Sequence, residues 1–286
     1  MAIPKISFDD YTPGEMAKRV EVASIRKAKL DFLSLIMLAI LAGSFIALGA
    51  EFCTLVIFDS TLSVGLTKLL GGLVFSLGLI LVIIAGAELF TGNNLIMMGF
   101  GSGVVTYKQL LKNWCVSYLG NFIGSMFIVG LMYFSNQWMM KDYLLGAKAV
   151  LIAADKVNLN FTEAFVRGIL CNLLVCLAVW LCFSARTVIG KVSAIIFPIT
   201  AFVASGFEHS IANMYFIPMG IILKGNSNIM NKVLEVAPDA NLGRLNITGL
   251  LGNLLPVTLG NIVGGAVLVA AIYWLIIVLP KRRKRR

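Results

Sequence analysis

Histidine occurs once among the 286 residues, at His209, and charge is scarce, with Asp, Glu, Lys and Arg making up 13% of the chain. One imidazole leaves no Cys/His zinc set available, and the five cysteines form no C-x-x-C pair. Cys53, Cys115, Cys171, Cys176 and Cys182 all fall in apolar runs and read as small hydrophobes; no metal and no cofactor is expected. A nucleophile with its base is missing too. Glu208, His209 and Ser210 are consecutive, and neighbouring residues on a helix point apart, so they make no triad and no enzyme is expected. Low-complexity sequence is absent apart from the closing Lys281–Arg286, and no polar stretch is long enough for a sizeable soluble domain.

What is present is apolar length. Hydrophobic residues make up 59% of the chain, and a bilayer-spanning helix needs roughly 20 of them in succession. The runs predict six spans near 32–57, 65–103, 110–134, 162–184, 191–223 and 248–279, joined by polar connections at 135–161 and 224–247. The first run begins too late and is too long for a cleaved signal peptide. The expected fold is an all-α membrane protein.

Two of these spans are interrupted, and the interruptions match. Gly206-Phe207-Glu208-His209-Ser210-Ile211-Ala212-Asn213 and Gly86-Ala87-Glu88-Leu89-Phe90-Thr91-Gly92-Asn93 share one skeleton: Gly, one residue, Glu, four residues, Asn. Leu119-Gly120-Asn121-Phe122-Ile123-Gly124 and Leu259-Gly260-Asn261-Ile262-Val263-Gly264 repeat a second pattern in the same order. Two echoes in order predict an internal repeat of three spans, over about 31–135 and 160–280. An odd number of spans per copy makes it an inverted repeat with a pseudo-two-fold axis in the membrane plane. Irregular backbone at each interruption is tolerated only where it lines a cavity or is buried in protein. An ionisable residue there costs about 2.5–3.5 kcal/mol on insertion scales, so His209 is either a functional residue or a hydrogen-bonded packing histidine, and the repeated skeleton around it favours function. Glu88, Asn93, Glu208 and Asn213 are expected to hold the broken backbone. The Gly-Asn-x-x-Gly settings permit close helix approach, with Asn261 either bonding between helices or facing a cavity.

The net charge of +10 does not point to nucleic acid, because the basic tail directly follows a span. Lys18, Arg19, Arg26, Lys27, Lys29, Lys108, Lys112, Arg186, Lys191 and the tail fall on one side of six alternating spans. Both termini are therefore expected in the cytoplasm. Residues 1–30 are expected to carry a helix at the membrane interface, started by Thr12-Pro13-Gly14-Glu15; 31–280 form the membrane domain and 281–286 the tail.

Val203-Ala204-Ser205-Gly206-Phe207-Glu208-His209-Ser210-Ile211-Ala212-Asn213-Met214, with Ile217-Pro218-Met219-Gly220, closely resembles the formate–nitrite transporter family, the formate channels most of all. Phe75–Leu81, Glu88–Thr91, Gly168–Asn172, Val175–Trp180 and Pro256–Asn261 extend the resemblance along the chain. It implies an aquaporin-like six-helix protomer in a homopentamer with a pore in each protomer. It implies further that His209 and Thr91 face the substrate, with Asn261 and Lys156 at further polar positions. Leu79 and Phe202 would form an apolar constriction, with Phe75, Leu89 and Val175 around the pore. The expected cargo is formate or a similar small monovalent weak-acid anion, moved with proton exchange at His209 across the cell's inner (plasma) membrane. Thr91-Gly92-Asn93 resembles the nitrite branch as much as the formate branch, so nitrite and hydrosulfide stay open, with a neutral-solute channel as a more distant alternative.

Overall fold

The computed structural model describes residues 10–283, and among them every regular element is helical. Residues 1–9 of the polar lead and 284–286 of the basic tail lie outside the described residues. The first helix, α1 (Pro13–Ala28), starts as its sequence dictates: the Thr12 backbone N–H donates to Glu15 Oε2 at 2.8 Å, closing a capping box. It buries Met16, Ala17, Val20, Ser24 and Ala28 against the bundle.

The spans follow as α2 (Phe32–Ile57), α3 (Val64–Ala85), α6 (Tyr107–Phe134), α8 (Phe161–Cys182), α9 (Val188–Ala204) with α10 (Ser210–Leu223), and α12 (Ile247–Lys281). Five of these are long and apolar enough to cross a membrane, and the remaining crossing is divided between the shorter α9 and α10. Their outward faces carry bare apolar side chains such as Phe134 and Phe197, 80% and 78% exposed. In water such a surface would aggregate; facing lipid it costs nothing. The chain is a membrane protein.

Four smaller helices complete the fold: α4 (Phe90–Asn93) and α5 (Ile96–Gly101) after α3, α7 (Leu144–Asn158), and α11 (Ser227–Val236). Two features of this set depart from the expected layout. The segment 135–161, expected as a polar connection, holds α7, whose apolar face buries Leu145, Ala147, Val150, Ala153, Ala154 and Val157. The second limb of the first broken span is broken again, between α4 and α5, whereas α10 runs unbroken for 14 residues. Gly92, Asn93 and Asn94 account for this, since glycine and asparagine are weak helix formers that favour turns.

Close helix crossings use the predicted glycines. A methyl group on Gly124 would strike the Ile40 carbonyl, and one on Gly264 the Ile169 carbonyl. These contacts seat α6 on α2 and α12 on α8 at matching places. Matching caps begin α2 and α8: Asp31 Oδ1 accepts from Ser34 N at 2.9 Å, and Asn160 Oδ1 from Glu163 N at 2.9 Å. Just past Asn261, α12 loosens into a π-wound stretch over Val263–Ala271.

Candidate functional site

Both broken spans are built on the same local device. Gly86 and Gly206 end α3 and α9 with φ of 82° and 70°, left-handed values that side chains disfavour. Three residues then run without helix before α4 and α10 begin. Each interruption leaves backbone groups without helical partners inside the protein, and a conserved geometry of side chains satisfies them in both halves.

In the first half, Asn121 Oδ1 accepts from Phe90 N at 2.9 Å while its amide donates to Ala39 O at 2.7 Å and Glu88 O at 3.0 Å. In the second, Asn261 Oδ1 accepts from Ser210 N at 3.0 Å and its amide donates to Gly168 O at 2.8 Å and Glu208 O at 3.0 Å. Asn261 is fully buried and engages both ends of its amide with backbone. The glutamates match as well. Glu88 takes Lys27 at 2.7 Å and Asn93 at 2.8 Å; Glu208 takes Lys156 at 2.9 Å and Asn213 at 2.6 Å. Asn93 reaches Asn113 at 2.8 Å, and Asn213 reaches Asn253 at 2.7 Å. Lys156 also lies 5.2 Å over the Phe216 ring.

Lys27, Asn113 and Asn253 were not among the residues singled out from sequence, although a signal exists. Lys27-Ala28-Lys29-Leu30-Asp31-Phe32 and Lys156-Val157-Asn158-Leu159-Asn160-Phe161 share Lys-x-x-Leu-Asp/Asn-Phe. Asn113 and Asn253 each precede their Gly-Asn pair by the same interval. The repeat visible in the fold thus reaches back into α1 and α7.

The halves part company at the centre. His209 is the N-cap of α10, buried at 2% exposure, and the corresponding residue before α4 is Leu89. His209 Nδ1 accepts from the Ala212 backbone N–H at 3.1 Å. That bond places the proton of a neutral ring on Nε2, which lies 3.0 Å from Thr91 Oγ1. With its hydroxyl oxygen accepting from the ring, Thr91 keeps its own O–H free to donate. The Thr91 carbonyl in turn accepts from Asn172 and Cys176, each at 3.3 Å. Asn172, also missed from sequence, joins this layer to Asn261 O at 2.6 Å.

Apolar side chains close over the pair. Phe202 stacks on the His209 ring with centroids 5.9 Å apart and meets Phe75 edge-on at 5.6 Å. Leu79, Leu89 and Val175 are all buried in the same core. A cavity of about 780 Å³ runs from α1 down to Leu79, Leu89 and Val179. Lys18, Arg19, Arg26, Lys27 and Lys191 stand around it against Glu15 and Glu88, so its field favours anions. His209 and Thr91 do not line it; they lie beyond its apolar floor.

Inverted repeats, paired broken helices and a buried polar centre behind an apolar floor define a membrane transport protein. The sequence pattern of the formate/nitrite transporter family matches residues 14–275, and the chain belongs to that family. It is similar to the formate channel FocA of Escherichia coli K12, at 42% identity over 94% of this chain and 95% of that protein. The formate channel FocA of Haemophilus influenzae is 44% identical over 92% of this chain and 93% of its own length. A solved structure described as a pentameric formate channel with formate bound superposes with a TM-score of 0.77 at 45% identity. It covers 86% of this chain and 97% of its own.

Proposed function

We propose that this chain is a channel for formate and similar small monovalent weak-acid anions, working as a homopentamer in the cytoplasmic membrane. The supporting observation is the His209–Thr91 pair behind an apolar floor, in which the ring Nε2–H donates to the hydroxyl oxygen and leaves the Thr91 O–H free to donate. Leu79, Phe202, Phe75, Leu89 and Val175 form the barrier. Glu88, Asn93, Glu208 and Asn213, with Asn121, Asn261, Lys27 and Lys156, hold the two breaks open. In this reading Asn261 and Lys156 act on the substrate through the backbone they fix and through charge. The relatives are named as channels, which supports transport rather than catalysis. The basic end, with α1 and the large cavity, faces the cytoplasm under the positive-inside rule.

The energetics favour neutralisation at the barrier. A bare carboxylate entering an apolar constriction faces a penalty of several kcal/mol even after relaxation. Protonating an acid of pKa about 3.7 at pH 7 costs about 4–5 kcal/mol. The anion accepts from Thr91 Oγ1–H and, once the ring releases the Thr91 oxygen, from His209 Nε2–H, and it leaves this centre through the apolar barrier as the neutral acid. For His209 itself to give that proton, the ring must first be charged at Nδ1, which requires releasing the Ala212 N–H. Proton exchange at His209 is therefore tied to loosening the first turn of α10.

Formate flux against pH in proteoliposomes tests this reading. His209→Phe keeps a ring in place, and its flux is expected to fall at neutral pH and to lose the wild-type pH dependence. Superimposable curves would make His209 a packing residue. Nitrite and hydrosulfide are run beside formate, and chloride flux equal to formate flux would remove the neutralisation step.

A further inference from the structure

A second polar enclave lies away from the His209 centre, between α2, α6, α7 and α10. It is a cavity of about 10 Å³ bordered by Glu51, Thr54, Gln137, Trp138, Tyr215 and Phe216, among others. The Tyr215 hydroxyl donates to Glu51 Oε2 at 2.6 Å. Glu51 Oε1 and Gln137 Oε1 are shut off from solvent and have no hydrogen-bond partner among the described residues. The Thr54 hydroxyl, also on the wall, spends its proton on Ala50 O at 3.0 Å.

We infer that this cavity is a binding site for one water molecule, which donates one hydrogen to Glu51 Oε1 and the other to Gln137 Oε1. The volume matches, since a buried water needs roughly 10–15 Å³ of such space and two to four polar partners. The chemistry matches too. Both uncommitted atoms are acceptors, so a ligand must bring donors; formate, an acceptor, is repelled. A hard metal cation takes about six or more oxygens, and two uncommitted ones are too few.

The water ties the turn after α6, which carries Gln137, to the Glu51–Tyr215 hydrogen bond that already joins α2 to α10. Glu51 belongs to α2 and Tyr215 to α10, while Gln137 sits in the turn after α6. That turn contains Asn136 and then Lys141, Asp142 and Tyr143, all with φ between 51° and 65°. Such values are costly for Lys141 and Tyr143, and external ties hold the turn: Lys141 to Asp59, Asp142 to Lys232, and the Tyr143 hydroxyl to Asn228. The hydrated carboxyl adds an internal tie beneath the same turn. The carboxyl is not repeated in the other half: where α2 carries Glu51, α8 carries Trp180, stacked on Tyr273 with centroids 4.3 Å apart. The enclave is therefore specific to one face of the protein rather than a requirement of the repeat.

The test is a density map of the full chain in lipid nanodiscs at about 2 Å or better, for wild type and Gln137→Met. The variant keeps the length of the side chain and removes its acceptor. One peak within hydrogen-bonding distance of both oxygens in wild type, lost or displaced in the variant, is the expected result. An empty wild-type cavity overturns the inference. So does a peak that strengthens markedly after rubidium replaces sodium, because it would then be a cation. So does a peak that stays in place without Gln137. The outcome is independent of what the channel transports.

Discussion

Glu88 and Glu208 sit in matching nets, each holding a lysine from a short helix and an asparagine five residues on. One residue further along, the likeness stops: Leu89 stands in one half and His209 in the other. Thr91, which the histidine meets, has Ile211 as its counterpart. The scaffold is thus symmetric and the chemistry is not. Opening a helix inside a membrane is needed twice, so its hardware appears twice. The buried imidazole, His209, is present once, and its partner Thr91 comes from the opposite repeat.

The largest test of this comparison removes each lysine. Breaking a buried ion pair from one side costs about 3–5 kcal/mol, because a buried carboxylate is left without its cation. Lys156→Met is expected at that level, since the side chains of the pair are 14% and 5% exposed. Lys27→Met is expected to cost less, because Lys27 is 22% exposed and opens onto the large cavity, where water replaces part of what is lost. Thermal unfolding of both variants in detergent measures the difference. Equal losses would mean that the cavity does not hydrate Glu88.

A smaller effect is expected where the halves pack alike. Gly124→Ala and Gly264→Ala each push a methyl onto a facing carbonyl, at Ile40 and Ile169. Overpacking of this kind costs about 1–3 kcal/mol, and the same unfolding assay should give the two variants matching losses. A clear inequality would show that the crossings differ in how far they can yield.

The smallest effect concerns the caps of α2 and α8. Asp31 has its carboxyl held below its ordinary value of 3.8, chiefly by hydrogen bonds from Ser34. Its charge therefore stabilises the fold at higher pH, and that contribution is lost as pH falls through the lowered value. Asn160, at the same place in the other half, does not titrate. Asp31→Asn should flatten the acid limb of the unfolding-temperature curve slightly. A curve parallel to wild type would show that the cap is held by shape alone.

Much of this was legible in the sequence, for reasons that show where legibility ends. The six crossings are carried by apolar length, and the two breaks by polar islands that nothing else explains in a bilayer. His209 was marked by being alone. Its pairing with Thr91 was not readable from spacing, since the two are 118 residues apart and meet only when the repeats fold together. Lys27 and α7 were obscured by their surroundings. Lys27 lies among Arg26 and Lys29, whose charges read as a solvated face, and α7 begins in a polar stretch that hides its apolar side. The second break after α4 follows from local propensity at Gly92, Asn93 and Asn94, an effect that membrane-scale hydropathy averages away.

Tyr118 and Thr258 occupy the same position in their respective repeats, each two residues before its Gly-Asn pair, and the Tyr118 hydroxyl lies 2.9 Å from Thr258 Oγ1. Equivalent residues that touch must do so at the pseudo-two-fold axis. Between two separate identical copies, that contact would always set like against like: two bulky phenols competing for one space, or two short hydroxyls leaving it unfilled. A large residue opposite a small one fits there only when the copies are free to differ, which requires both to be encoded in one chain. The joining of the repeats is in this sense a licence for unlike partners at the axis, and the single histidine draws on the same licence.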